Sequence, residues 1–392
     1  MTTRRRFLVG LVALPFAGAC ASLDDPRALG PIRVGGLFAL TGEDAALDRP
    51  AADGARLAVR MINAAGGVQG RPLDLIVRDT QTALDLTAQV ARQMVAEDRI
   101  VAVIGFTNTD PLLAAAPPIR AAGLPFITPG ATSPRIPAEA GPRVFLACFG
   151  DNAQAAAGAE FAALRFGKRA YLLHNDGVEY TRLLAGYFKT RFAELGGTLI
   201  LEDRYADKTS DMTAQIAHLK ARRVTPDFYY IAAMAYDVGP ILNQFRAAGL
   251  TGPVVGGDAY DAPELLAQAG PAAENVFFTT HALMPGEGVT SRILSFSNAY
   301  RVAYERAPES AFAALGYDAV RLLADAIRRA GGTDAAAVQR ALEATRNLAG
   351  LTGTISFSAT SHVPTKAVTV VTVRGGKLTL AAELVPQKVP AP

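Results

Sequence analysis

The run Ile32-Arg33-Val34-Gly35-Gly36-Leu37-Phe38-Ala39-Leu40 is short and apolar, and the segment Ala51–Ala65 after it sets Ala55, Ala58, Val59 and Ile62 at spacings of three and four residues. The first pattern suits a buried strand and the second one face of a helix. Gly66-Gly67 then stops the helix, and Leu73–Arg78 opens a second strand-like run. Strand, helix and strand in this order are the unit from which parallel sheets are built.

Outward from that unit, strand-like runs recur at Ile100–Gly105, Leu124–Thr128, Val144–Cys148, Ala170–His174, Leu199–Glu202, Phe228–Ala232, Val254–Gly256 and Val276–Thr279, with helical periodicity between most of them. Leu195-Gly196-Gly197, Ala248-Gly249 and Ala330-Gly331-Gly332 repeat the helix stop, which suggests two βα halves on one plan. After Thr280 the alternation ends. Helices are expected at about Ser291–Arg306, Ala311–Arg329 and Asp334–Ala344, then short strands near Ile355–Phe357, Ala367–Val373 and Leu378–Leu380. Helices without strands between them imply that the chain returns to cover an existing sheet.

The 392 residues are 50% apolar and 19% charged, which excludes disorder, collagen and coiled coil and suits two domains. The longest apolar run, Phe7–Ala19, has 13 residues and is too short to span a bilayer. Arg4, Arg5 and Arg6 precede it and the small residues Ala17, Gly18, Ala19, Cys20 and Ala21 follow, the order of an export signal over residues 1–20. Thr3-Arg4-Arg5-Arg6-Phe7-Leu8 resembles a twin-arginine signal, with an ordinary secretory signal as the alternative. Ala17-Gly18-Ala19-Cys20 resembles a lipobox, in which Cys20 would be lipidated, and Ala19-Cys20-Ala21 equally fits cleavage to a free protein.

Without its first 19 residues the chain keeps 36 basic and 36 acidic residues, so nothing electrostatic favours nucleic acid. Cys148 is then the lone thiol, in an apolar stretch that suits a buried, inert side chain. There is no Gly-x-Ser-x-Gly elbow, phosphate loop or Gly-x-Gly-x-x-Gly turn, and His174, His218, His281 and His362 have no metal-ligand spacing. The pattern leans away from an enzyme and from any cofactor, and towards binding.

Val34 to Gly42, then Gly54, Ala58 and Ile62-Asn63-Ala64-Ala65-Gly66-Gly67-Val68-Gln69-Gly70-Arg71, then Ile76-Val77-Arg78-Asp79, form a recognisable series. It continues through Val103-Ile104-Gly105, Ile127 to Pro134, His174-Asn175-Asp176 with Tyr180, and Gly316-Tyr317-Asp318-Ala319. In order and spacing it resembles the type I periplasmic binding proteins of the branched-chain amino-acid family, which serve ABC transporters. The resemblance implies an α/β fold of two Rossmann-like βα lobes joined by three hinge crossings. Its first lobe would take residues 31–150 and 281–366, its second 151–280 and 367–385, and the chain after residue 385 is expected to fray.

The resemblance also implies a binding site. Thr109 and Thr132 fall where the family sets hydroxyls on a ligand carboxylate, Gly130 where a backbone carbonyl receives the ammonium, and Asp258 where an acid pairs with that ammonium. Tyr180 falls where a tyrosine closes over the ligand. Three of these have an ordinary alternative: a turn or cap for Thr132, a cap on the helix near Ala262 for Asp258, and a surface aromatic for Tyr180. Leu47 and Met234, with Tyr236 beyond it, stand where relatives carry aromatic walls, while Phe312 keeps one. Such a lining puts leucine specificity in question.

The expected function is that of an exported, periplasmic or lipid-anchored monomeric receptor. It would capture a small ligand, an amino acid or a related carboxylate or amide, and deliver it to an ABC permease in the inner membrane. A ligand-sensing regulatory protein on the same fold, reporting to a signalling or cell-envelope partner, is the alternative.

Overall fold

Strand β1 (Ile32–Phe38) is buried at every position except Arg33, as a strand covered on both faces must be. It pairs in parallel with β2 (Leu73–Asp79) and β3 (Val103–Gly105). With β4 (Phe126–Thr128) and β5 (Val144–Leu146) these make a five-stranded sheet of order β2-β1-β3-β4-β5. Helices α1 (Ala45–Ala64), α2 (Leu84–Glu97), α3 (Thr109–Ala121) and the short α4 (Ile136–Ala140) connect them. The computed structural model describes residues 30–209, 211–284 and 290–392; the expected export segment 1–20, with Cys20, lies outside them.

A second sheet repeats the plan with β6 (Arg169–Asn175), β7 (Thr198–Tyr205), β8 (Phe228–Ala232), β9 (Val254–Gly256) and β10 (Val276–Thr280) in parallel. Between them run α5 (Asp151–Arg165), α6 (Glu179–Glu194), α7 (Thr213–Ala221), α8 (Ala235–Ala247) and α9 (Pro263–Ala269). The chain then goes back to the first sheet, where α10 (Ser291–Tyr304) and α11 (Ala311–Ala330) pack on α1, and α12 (Ala335–Glu343) packs on α11. A small ladder of β11 (Leu348–Ala349) and β12 (Thr354–Ile355) follows. Antiparallel β13 (Val368–Arg374) and β14 (Lys377–Leu384) complete the second sheet in the order β14-β13-β10-β9-β8-β6-β7.

The chain therefore passes between the two sheets three times: after Leu146, after Thr280 and before Val368. That is the two-lobed α/β architecture, with three crossings, that the resemblance implied.

Two expectations are corrected. Helix α1 starts at Ala45, six residues before Ala51, and runs through Pro50. The proline forgoes one helical hydrogen bond, but Leu47, Asp48 and Pro50 are buried in that first stretch, and their packing offsets the loss. The C-terminal tail is not frayed. Gln387 donates its amide to Glu160, Lys388 pairs with Glu194, and the Pro390 carbonyl accepts from Asn152 at 2.9 Å, which ties the tail to α5 and α6.

Candidate functional site

Every residue expected at the site sits at or near the carboxyl end of a strand or the start of a helix, where loops of open α/β sheets form clefts. Leu47 lies on α1, Thr107 and Asn108 beyond β3, Thr132 beyond β4, Tyr180 at the start of α6, Met234 and Asp258 beyond β8 and β9, and Phe312 at the start of α11. Together with Ala259 these side chains line one cavity between the lobes. The centre of a water molecule sweeps only about 10 Å³ of it, the room one water needs.

Six of the nine expected residues thus meet. Gly130 stands just behind the lining: a β-carbon there would come within 2.7 Å of the Phe312 ring. Thr109 is 1% exposed, and its hydroxyl has no hydrogen-bond partner. It opens α3, a helix whose N-terminus no side chain caps. An uncapped helix start beside an unpaired hydroxyl is a natural anion site.

Tyr236 is carried elsewhere. Helix α8 begins at Ala235, so two residues beyond Met234 the chain has turned more than half-way round and points its ring away. Its hydroxyl donates to Asp207 at 2.9 Å, and it lines hollows at the outer rim with Glu43. A larger hollow, of about 400 Å³ on the same measure, borders the crossings and holds none of the nine residues.

Asp258 is fixed by its neighbours. Its Oδ1 accepts from Gln154 Nε2 and from the Tyr180 hydroxyl, both at 2.9 Å, and its Oδ2 meets His281 Nε2 at 3.0 Å. These bonds dispose of two alternatives: Asp258 does not cap the following helix, whose cap residue is Ala262, and Tyr180 is buried rather than on the surface. Glycine at 257 is required here, because a β-carbon would occupy the space of the Tyr180 hydroxyl.

His281 is fully enclosed, stacked on Phe149 with ring centres 3.8 Å apart and edge-on to Phe312. Burial pushes its imidazole below the usual value. The neutral ring donates from Nε2 to Asp258, and Nδ1 has no partner. Three of the four in-plane acceptor positions of the Asp258 carboxylate are filled, which leaves one on Oδ2 for a ligand N–H.

Sequence reasoning missed Gln154, His281 and Asp151. Gln154 joins the two acids, giving its Nε2 protons to Asp151 and Asp258 and accepting from the Asp258 amide and the Thr279 hydroxyl. Asp151 is buried with one oxygen unpartnered. Burial first, and then the nearby Asp258 charge, push its carboxyl up to about 8, so it is largely protonated at neutral pH. The spacing Asp151-Asn152-Ala153-Gln154 sets both on one helix face, a signal visible in the sequence but too common to act on.

Asp48 shapes the first-lobe wall. It accepts from the Ala39 amide at 2.6 Å and from the Thr107 amide and hydroxyl at 2.8 and 2.7 Å. The Thr107 hydroxyl is thereby engaged, whereas that of Thr109 is not. Among the described residues no lysine or arginine lines the cavity. The Asp258 carboxylate lines it from the second lobe, and Thr107, Asn108 and Thr132 line it from the first.

Two βα lobes that enclose a polar cavity at the carboxyl ends of their strands define a solute-binding protein. The family model of the periplasmic binding proteins matches residues 31–377. The chain belongs to that family, as a type I protein of the branched-chain amino-acid kind. It is 28% identical over 334 residues to a Leu/Ile/Val-binding protein homologue of Brucella melitensis, covering 85% of this chain and 88% of that one. The branched-chain amino-acid transporter substrate-binding protein LivJ of Streptococcus pneumoniae, solved with isoleucine, superposes with a TM-score of 0.83 at 28% identity, covering 91% of this chain and 99% of its own. The leucine-binding protein LivK of Thermotoga maritima gives 0.82 at 30% identity over the same shares. These relatives are binding proteins rather than enzymes, and among the described residues no helix is long and apolar enough to cross a membrane.

Proposed function

We propose that the protein captures an α-amino acid between its lobes and delivers it to an ABC permease, acting as an exported monomer. The observation that carries this reading is the pairing of opposite polarities across one small cavity. Asp258 lines it from the second lobe and Asn108, the residue before α3, from the first, with the unpartnered Thr109 hydroxyl and the uncapped start of α3 next along the chain. A zwitterion is the ligand whose two charges such a cavity matches.

In this reading the ammonium takes the free position on Asp258 Oδ2 and the Gly130 carbonyl, while the carboxylate takes Thr109, Thr132 and backbone amides of α3. Leu47, Tyr180, Met234 and Phe312 surround the side chain. Residues 1–20 export the chain, with Cys20 as its lipid anchor. Lobe closure is the signal the permease reads, since a ligand that binds the closed form better draws the equilibrium towards it.

Calorimetric titration of the purified protein with amino acids, and with acids and amides that lack one of the two charges, tests this. Binding by amino acids and not by the matched carboxylate or amine is expected. Equal binding of propionate and alanine would remove the role of Asp258.

A further inference from the structure

We infer that this site selects α-amino acids with the smallest side chains, glycine and alanine ahead of leucine, and that Phe312 is the residue that sets the limit. The inference rests on the amino-acid reading above and adds to it the substrate class and the specificity-determining side chain.

The cavity admits the centre of a water molecule over only about 10 Å³, so a ligand makes its own room. The first-lobe wall is poorly placed to recede. Leu47 and Phe312 ride on α1 and α11, and these helices touch backbone to backbone: β-carbons at Gly54 and Gly316 would run into the Ala313 and Ala51 carbonyls. The Phe312 ring is itself confined, lying on the bare backbone of Gly130 and edge-on to the buried His281. The residue is 1% exposed, so the only space beside its ring is the small cavity it lines.

On the second lobe, Tyr180 and Asp258 are tied together and Asp258 has two further donors, which leaves Met234 as the compliant wall. Further room comes from parting the lobes. Parting lengthens the bonds that cross between them: Ala311 amide to Asp261 at 3.0 Å, Glu179 amide to Asp110 at 3.4 Å, Arg135 to Glu179 at 3.6 Å and Lys208 to Glu43 at 3.2 Å. A large side chain wedged between Phe312 and Met234 trades closure for contact. A small one keeps both.

The test titrates wild type, Phe312→Ala and Phe312→Leu with glycine, alanine and leucine, and checks each variant by thermal melting. Alanine is expected to bind the wild type at least about tenfold more tightly than leucine, and Phe312→Ala to shift that ratio at least about tenfold towards leucine, in line with the discrimination a methylene or two commands in an apolar pocket. Should Phe312→Ala not fold, Phe312→Leu, with Met234→Ala beside it, is expected to move the ratio in the same direction. Leucine binding the wild type as tightly as alanine, or an unchanged ratio in the variants, overturns the inference and leaves the amino-acid reading in place. Binding of acids or amides alone, with no amino acid, overturns both.

Discussion

At the scale of single residues, the site is set by which polar atoms already have partners. The Thr109 hydroxyl is buried and has none, so in the ligand-free protein it is a net cost, and it becomes useful only against a ligand. Thr109→Val is therefore expected to leave the melting temperature unchanged or raise it while weakening amino-acid binding by ~1–3 kcal/mol. Loss of both stability and affinity would mean that the hydroxyl is structural. Asp258 is the opposite case, because its removal strands Gln154, Tyr180 and His281 together. Asp258→Asn keeps the volume but removes the charge, and calorimetry is expected to show a loss of about a hundredfold or more for alanine, the scale of a broken buried charge pair. Asp151 supplies a pH signature. Its carboxyl is raised from an ordinary 3.8 to about 8, so the stability it lends the fold is complete below about pH 4 and is lost as pH rises towards 8. Asp151→Asn cannot ionise, and its melting temperature should fall less between pH 6 and 9 than that of the wild type. Parallel slopes for the two proteins would show that Asp151 is ionised throughout.

At the scale of elements, the strands were legible because each carries its own apolar run, and Phe228–Ala232 and Val254–Gly256 end where the run ends. Helix stops were legible for a local reason as well: Gly331 adopts a φ of +73° after α11, which glycine alone reaches freely. The start of α1 was not legible, since Pro50 argues against a helix until one knows that Asp48 is held by Ala39 and Thr107, just past the ends of β1 and β3. Similarly, the tail looked free because Gln387 and Lys388 have no local partner; theirs are Glu160 and Glu194, about 200 residues away. His281 carried no motif, and only the return of the chain through the second crossing brings it to Asp258. Long-range pairing is what a local reading lacks. The contact between α1 and α11 belongs to the same class, being visible only as glycines in two distant helices. Gly316→Ala places a methyl group on the Ala51 carbonyl, and chemical denaturation is expected to show a loss of about 1–3 kcal/mol. A neutral result would mean that the two helices can separate, and with them Leu47 and Phe312.

At the scale of the whole molecule, affinity is set by the closure equilibrium as well as by the cavity. Asp261 lies on the second lobe three residues past Asp258, yet its Oδ2 accepts from the Ala311 amide at the start of α11 on the first, and from the Thr280 hydroxyl at the crossing. Asp261 itself does not line the cavity. A ligand that binds only the closed form has its apparent affinity reduced by the fraction of molecules able to close. Asp261→Ala removes a bond that joins the two lobes, and a deficit of ~1–2 kcal/mol in closure corresponds to a roughly 5- to 30-fold loss of affinity. Since the loss arises outside the cavity, it should be the same for every ligand, whereas Phe312→Ala should change the ranking of ligands. Small-angle scattering of the ligand-free variant should show a larger radius of gyration than the wild type, and saturating ligand should bring the two together. A loss that differs between glycine and leucine, or an unchanged radius with unchanged affinity, would show that Asp261 serves only to start α11 and that closure is held by the other contacts between the lobes.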